Sequence, residues 1–338
     1  MTMSKYLNLA IFFDGTWNDD SSETNVWKLR GDLRLGSYSF DGETDEYSTT
    51  ALYETGPGTS ADMAIYGGAF AADLDKALID AYAWVSERII NLNATKSEQI
   101  PQLFLFGFSR GAYRAHAFSW LLNDIGIPKD FSKCRDIAAA YAKHNHRKVL
   151  ELTQDGVIPA PKIKMLGLWD VVSAPLDKYG NFQNHVRSPL VENLYHAMAA
   201  NERRVNFPVM QYNPQQERTV QIWFSGAHSD VGGGYPEDER ELSDIALSWM
   251  KYHAMECGLD FLSEQTTAPD INFNKLRKIH DEAYRITKPH RSFLRGELIH
   301  ASLAMRRKQI QSYIPEVLQL PKSITTSIID AIMYRWKS

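Results

Sequence analysis

The stretch that most constrains this chain runs from Ile100 to Trp120, IPQLFLFGFSRGAYRAHAFSW. Gln102 to Phe106 is a short apolar run between Pro101 and Gly107, the pattern of a buried strand. After Ser109 the spacing turns helical, with Ala112, Ala115 and Phe118 set among good helix formers. Gly107-Phe108-Ser109-Arg110-Gly111 therefore falls as G-x-S-x-G on a strand-to-helix turn. The motif alone arises by chance in many chains, and this placement is what gives it meaning. It predicts Ser109 as a nucleophile held in a tight elbow. Gly107 and Gly111 leave room for neighbouring backbone, and the helix N-terminus favours developing negative charge. The amide of Arg110, next after the nucleophile, is an expected oxyanion donor.

Upstream, Leu7 to Phe13 reads as a strand running into the turn Asp14-Gly15-Thr16-Trp17-Asn18. Asp-Gly-Thr after a strand invites comparison with aspartyl-phosphate phosphatases, but Phe12 stands where their nucleophilic Asp belongs. The turn is read instead as the source of a second oxyanion donor, from the backbone of Gly15 and Thr16. Asp14 supports it by bonding its own backbone. Thr24 is an expected helix cap, residues 31–46 read as loop, and Tyr47 to Glu54 as a strand. Gly56 to Thr59 turns the chain, and Gly67-Gly68 opens a helix whose apolar positions recur at three and four through Ile89. Strand, helix, strand, helix, strand up to Ser109 predicts an α/β architecture with a mostly parallel central sheet flanked by helices.

Downstream, residues 131–152 are helical in period and basic, the pattern of a solvated helix face. Ile163 to Trp169 is a further apolar strand and ends in Asp170, where an α/β-hydrolase places its acid. The polar residues 176–189 are expected to form a lid, and residues 190–204 a helix. Thr219 to Phe224 is the next strand and leads into Ser225-Gly226-Ala227-His228-Ser229-Asp230-Val231-Gly232-Gly233-Gly234. A histidine on a glycine-rich loop after a strand can reach across to a serine, with Asp230 as a supporting residue. The order Ser109, Asp170, His228 is the hydrolase order. Glu241 to Gly258 reads as a helix stopped by Gly258. The tail holds a second histidine candidate, His300, a cationic Arg306-Arg307-Lys308, and a closing helix at 324–336. That helix is expected to dock on the core, with contact to a lipid surface as the alternative. Residues 1–260 are expected to form the catalytic domain and 261–338 an extension packed on it.

Composition narrows the classes. A net charge of −4 over 338 residues argues against nucleic acid as a partner. Cys134 and Cys257 have no Cys-x-x-Cys partner, so no zinc site is expected and buried thiols in a reduced compartment are. No window of 18 apolar residues exists, so no membrane-spanning helix is expected. The early apolar run is broken at Asn8 and stopped at Asp14, a strand rather than a signal peptide.

FFDGTWN, GFSRGAYRAHAF, LGLWDVV, WFSGAHSDVGGGY and ELSDIALSWM, in this order, resemble the alpha/beta hydrolases of the DUF2235 family. That family includes the catalytic domain of Tle1-type phospholipase effectors of bacterial type VI secretion. The resemblance spans about Leu7 to Leu259, with weaker echoes at Thr55–Thr59, Asn201–Arg204 and Ile299–Ser302. It implies an α/β-hydrolase fold, a Ser-Asp-His triad carried onto Ser109, Asp170 and His228, and hydrolysis of phospholipid acyl esters without metal or cofactor. It also implies peripheral contact with membrane, a cytoplasmic location in the producing cell, and export by a type VI system with no cleavable signal. An immunity protein or the secretion apparatus is the implied protein partner.

Three rival readings stand beside this one. A metal phosphohydrolase would use Asp14, Asp170, His228 and Asp230 as ligands, which leaves the elbow unexplained. A binding module would keep the fold without catalysis. A third keeps the hydrolase and makes His300 the base in place of His228.

Overall fold

The computed structural model describes residues 5–16, 18–19, 21–38, 47–56, 67–172, 186–204, 207–213, 215–263, 279–280, 291, 298–300 and 302–303, with backbone alone at 67–75. In chain order the elements are β1 (Tyr6–Phe13), α1 (Asn25–Asp32), β2 (Gly36–Tyr38), β3 (Tyr47–Glu54), α2 (Gly67–Ala94), β4 (Ile100–Phe108) and α3 (Arg110–Ile125). There follow β5 (Ile127–Pro128), a single 3-10 turn at Phe131–Lys133, α4 (Cys134–Ala142), α5 (His146–Leu152), β6 (Val157–Ile158) and β7 (Ile163–Trp169). The remainder is β8 (Val191–Ala199), β9 (Thr219–Phe224), α6 (His228–Gly232), α7 (Glu241–Glu256) and β10 (Leu298–Ile299).

Eight strands form one sheet in the order β10-β9-β8-β7-β4-β1-β3-β2, and β5 pairs with β6 in a separate ribbon. Every pairing in the large sheet is parallel except that of the short edge strand β2 with β3. β1 splits its residues between two cores because successive side chains point to opposite faces. Leu9, Ile11 and Phe13 pack with α2, α3 and α4 through Leu78, Tyr82, Phe118 and Ile137. Ala10 and Phe12 pack on the other face with α1 and α7 through Val26, Leu29, Trp249 and Met250. Burial on both faces explains why β1, β4 and β7 are near-continuous apolar runs rather than alternating ones.

Apart from the edge strand β2, which precedes β3 and lies outside it, the chain fills the sheet outward from the middle: β1 first, then β3 on one side, then β4 on the other, then β7, β8, β9 and β10. The order of travel reverses between β1 and β4. In an open parallel sheet that reversal opens a crevice at the carboxyl ends of the strands, where ligands bind.

One expected element is wrong. Residues 190–204 hold β8, not a helix. The run is rich in helix formers (Glu192, Leu194, Ala197, Met198, Ala199), but β7 and β9 bond to it on both sides. Sheet pairing and burial of its second half override that weak preference. The expected loop at 31–46 also begins differently, since Gly31 and Asp32 finish α1 and Gly36–Tyr38 is β2. Most of the expected lid (176–185), the turn at 57–59, Arg306 to Lys308 and the closing helix at 324–336 lie outside the described residues. Among the described residues no helix is long and apolar enough to cross a membrane.

Candidate active site

β4 ends at Phe108 and α3 begins at Arg110, so Ser109 alone makes the turn. Its backbone sits at φ 58°, ψ −123°, a region that costs a side chain of order 1–3 kcal/mol and persists only where the surroundings enforce it. The surroundings do so. The Ser109 amide donates to Trp169 O (2.9 Å), and its carbonyl accepts from Tyr113 (3.3 Å) and Val172 (3.4 Å). The motif glycines are required by contact. A Cβ on Gly111 would lie 2.1 Å from Phe13 O, and one on Gly107 would lie 2.5 Å from Gly111 O. α3 is thereby pressed onto the end of β1, which puts Gly15 beside the serine: a Cβ there would be 3.3 Å from Ser109 Cβ.

Asp170 follows β7, the neighbour of β4, and is fully buried with φ 42°. Its two oxygens have different tasks. Oδ1 accepts the Ala199 amide (2.9 Å) and Arg291 Nη1 (2.5 Å), while Oδ2 meets His228 Nδ1 at 2.6 Å. Burial opposes the charged form, but Arg291 and His228 outweigh it and hold the carboxyl well below the usual range. His228 opens α6 just after β9, packed between the rings of Phe108 (4.6 Å between centroids) and Phe207 (5.0 Å). Its amide donates to Glu202 Oε2 (3.2 Å), and Glu202 holds Arg204 through both oxygens. The sheet thus gathers the ends of β1, β4, β7 and β9 and leaves Ser109, Asp170 and His228 all less than one-tenth exposed.

The two expected oxyanion donors after β1 are not equivalent. Gly15 is already committed, since its amide donates to Asp14 Oδ1 (2.6 Å). Thr16 is different. Among the described residues neither its amide nor its buried Oγ1 has an acceptor. Of the expected donors, Gly15 is thus engaged within its own turn, and Arg110 stands at the first position of α3.

Asp14 braces its own turn. Its Oδ2 takes Thr24 Oγ1 (2.5 Å) and Tyr53 OH (2.7 Å), and burial pushes its carboxyl up to about 6. Asp230 accepts the Ala227 amide (2.9 Å) and His280 Nδ1 (2.6 Å), which shapes the turn into α6. His300 sits beyond the opposite edge from β2, after β10, stacked on Phe224 (4.5 Å) with Nδ1 2.9 Å from Ser302 Oγ. The structure brings His228, not His300, to Asp170. Asp14, Asp170 and Asp230 each have separate partners, and among the described residues no three His, Cys, Asp or Glu side chains group to hold a metal.

Sequence reasoning missed Arg291, Phe207 and the role of Glu202. Glu202 had a trace in Asn201-Glu202-Arg203-Arg204; Arg291 had none.

A mostly parallel sheet with a strained serine elbow at its middle, an Asp after the adjacent strand and its His partner after a strand two further along defines an alpha/beta-hydrolase fold. The family model for the type VI secretion phospholipase effector Tle1-like catalytic domain matches residues 7–253, and the chain belongs to that family. A comparison with curated proteins finds no match. Among solved structures the chain is similar to the Tle1 effector bound to the VgrG spike of the type VI secretion system. The two share 20% identity over 69% of this chain and 52% of that one, with a TM-score of 0.43. It is also similar to an uncharacterized protein from Pseudomonas aeruginosa, at 19% identity over 76% of this chain and 47% of that one, TM-score 0.45. The chain spans about half the length of these two proteins.

Proposed function

We propose that this protein is a serine ester hydrolase acting on phospholipid acyl esters, of the phospholipase A type. The single observation that carries the chemistry is the 2.6 Å contact of His228 Nδ1 with a buried, ionised Asp170 whose neighbouring strand ends in the strained Ser109. Asp170 fixes the Nδ1–H tautomer, so Nε2 is the nitrogen free to act as base. His228 Nε2 takes the Ser109 proton as Oγ attacks the ester carbonyl. The tetrahedral oxyanion is held by the Arg110 amide and by Thr16. The imidazolium then protonates the leaving alcohol, and the acyl group remains on Ser109. Water, deprotonated by the same nitrogen, releases the acid and restores the serine.

The phospholipid part of the reading rests on membership of the Tle1-like catalytic-domain family. Delivery to a target membrane by a type VI system belongs to the same proposal. So does the division into a catalytic domain at 1–260 and an extension at 261–338.

The test is hydrolysis of a short p-nitrophenyl ester, a long-chain one and phosphatidylethanolamine vesicles by wild type and Ser109→Ala. Fatty acid released from vesicles by wild type, with loss of about 10⁴-fold or more in the variant, supports the reading. Turnover of the short ester alone moves the function to a small-ester esterase. No turnover, with no labelling of Ser109 by a fluorophosphonate, sinks it.

A further inference from the structure

The side chain that completes the Asp170 environment comes from outside the stretch that the family model covers, which ends at residue 253. Arg291 is nearly buried and its guanidinium spans three segments. Nη1 donates to Asp170 Oδ1 (2.5 Å) and to Ala199 O (3.0 Å) at the end of β8, and Nη2 donates to Phe207 O (2.6 Å). Phe207 in turn packs edge-on against His228 and carries the Arg204 guanidinium 3.6 Å above its ring.

The geometry points to Arg291 as a positioning residue for the Asp170–His228 couple, so that a residue of the chain beyond the matched domain sets how the site works. The inference rests on the triad proposed above. Three features support it. With the Ala199 amide, Arg291 saturates one carboxylate oxygen and leaves the other aimed at His228 Nδ1. A planar fork can reach a carboxylate and two carbonyls at once, which a single ammonium cannot match. It also ties the wall residue Phe207 to the strand ends, so the imidazole is held from two directions.

An ion pair that merely stabilised the fold would leave the chemistry's pH dependence alone. A guanidinium facing Asp170 does not, because it offsets part of the negative charge that favours an imidazolium at His228. The other charged or titratable groups around the couple have partners other than Arg291. Glu202 accepts the His228 amide and is paired with Arg204; Asp230 is paired with His280; His196 accepts the Val171 amide behind Asp170.

The experiment uses the full chain as wild type, Ser109→Ala, Arg291→Met and Arg291→Lys. For each, kcat and KM on the p-nitrophenyl ester are measured over about pH 5 to 9, alongside thermal melting. Arg291→Met is expected to lower kcat by about 10- to 100-fold with little change in KM. Its acidic limb of kcat/KM should move up by about one pH unit. Arg291→Lys should return the limb towards wild type while recovering only part of kcat. A limb that does not move in Arg291→Met, with any loss of rate tracking loss of melting temperature, overturns the positioning role and leaves a structural ion pair. If Arg291→Met does not fold, Arg291→Lys decides, since a wild-type kcat there also overturns it. An active wild type that depends on Ser109, with both Arg291 variants unaltered, sinks this inference alone. A wild type without Ser109-dependent turnover sinks it together with the proposed function.

Discussion

Asp14 and Asp170 occupy matching places and behave oppositely. Each is fully buried, and each follows a strand that flanks β4. Asp14 is surrounded by neutral donors (Thr24, Tyr53, Asn18 and the Gly15 amide), and burial still pushes it up to about 6. For Asp170 burial is overcome by Arg291 and His228, and the carboxyl is held far below the ordinary range. Burial is shared, so the charge of the partners decides the ionisation. One side of the elbow therefore carries a permanent anion suited to an imidazolium. The other carries a carboxyl near its titration point that braces a turn.

The sharpest way to break this contrast is Asp170→Asn. It keeps the shape and removes the charge, and kcat should fall by about 10⁴-fold. Melting temperature and circular dichroism check that the fold remains, and a variant with near-wild-type turnover would discard the assignment of the acid.

A smaller effect is expected from Asp14→Asn, and it is read in stability. Folding raises Asp14 from 3.8 to about 6, so between those values the native state binds more protons than the unfolded one. Stability from this group then falls as pH rises from about 4 to 6, by on the order of 2 to 3 kcal/mol. Asp170 works with the opposite sign: its lowered value contributes stability above 3.8 that is lost only as pH falls below it. Urea titrations of wild type and variant across that range should show the decline removed by Asp14→Asn, and an unchanged slope would refute the raised value.

The smallest is Thr24→Ala. Thr24 caps α1 by accepting the Trp27 amide (3.2 Å) and donates to Asp14 Oδ2. Its loss should cost about 1 to 2 kcal/mol in urea, with turnover within a few-fold of wild type. A large loss of turnover would mean that the Asp14 turn touches the reaction more directly than its hydrogen bonds suggest.

Five strands are legible in the amino-acid sequence, with β3, β7 and β9 at their observed ends. β1, β4 and β7 are legible because strands buried on both faces must be apolar runs closed by turn residues, and the less buried β3 and β9 because β-branched and aromatic residues recur in them. The elbow is legible too, since close approach admits only glycine at 107 and 111. β8 is not: Val191-Glu192-Asn193-Leu194-Tyr195 has a mixed pattern, and Glu192 faces Lys164 of β7 (2.8 Å) rather than a core. Its identity lies in the two strands that bond to it, which no local window contains.

What the sequence by itself determined is the local chemistry: the strand-turn-helix around Ser109, the carboxylate after β7 and the histidine after β9. Short-range sterics and apolar periodicity act within a few residues and so can be read there. What only the tertiary structure decided is the charge state and the second ring of contacts. Arg291 reaches Asp170 across 121 positions of chain, and the Gly15 amide is taken up by Asp14 within its own turn. Electrostatics in a buried site depends on which groups are packed within a few ångströms, and chain order does not encode that distance.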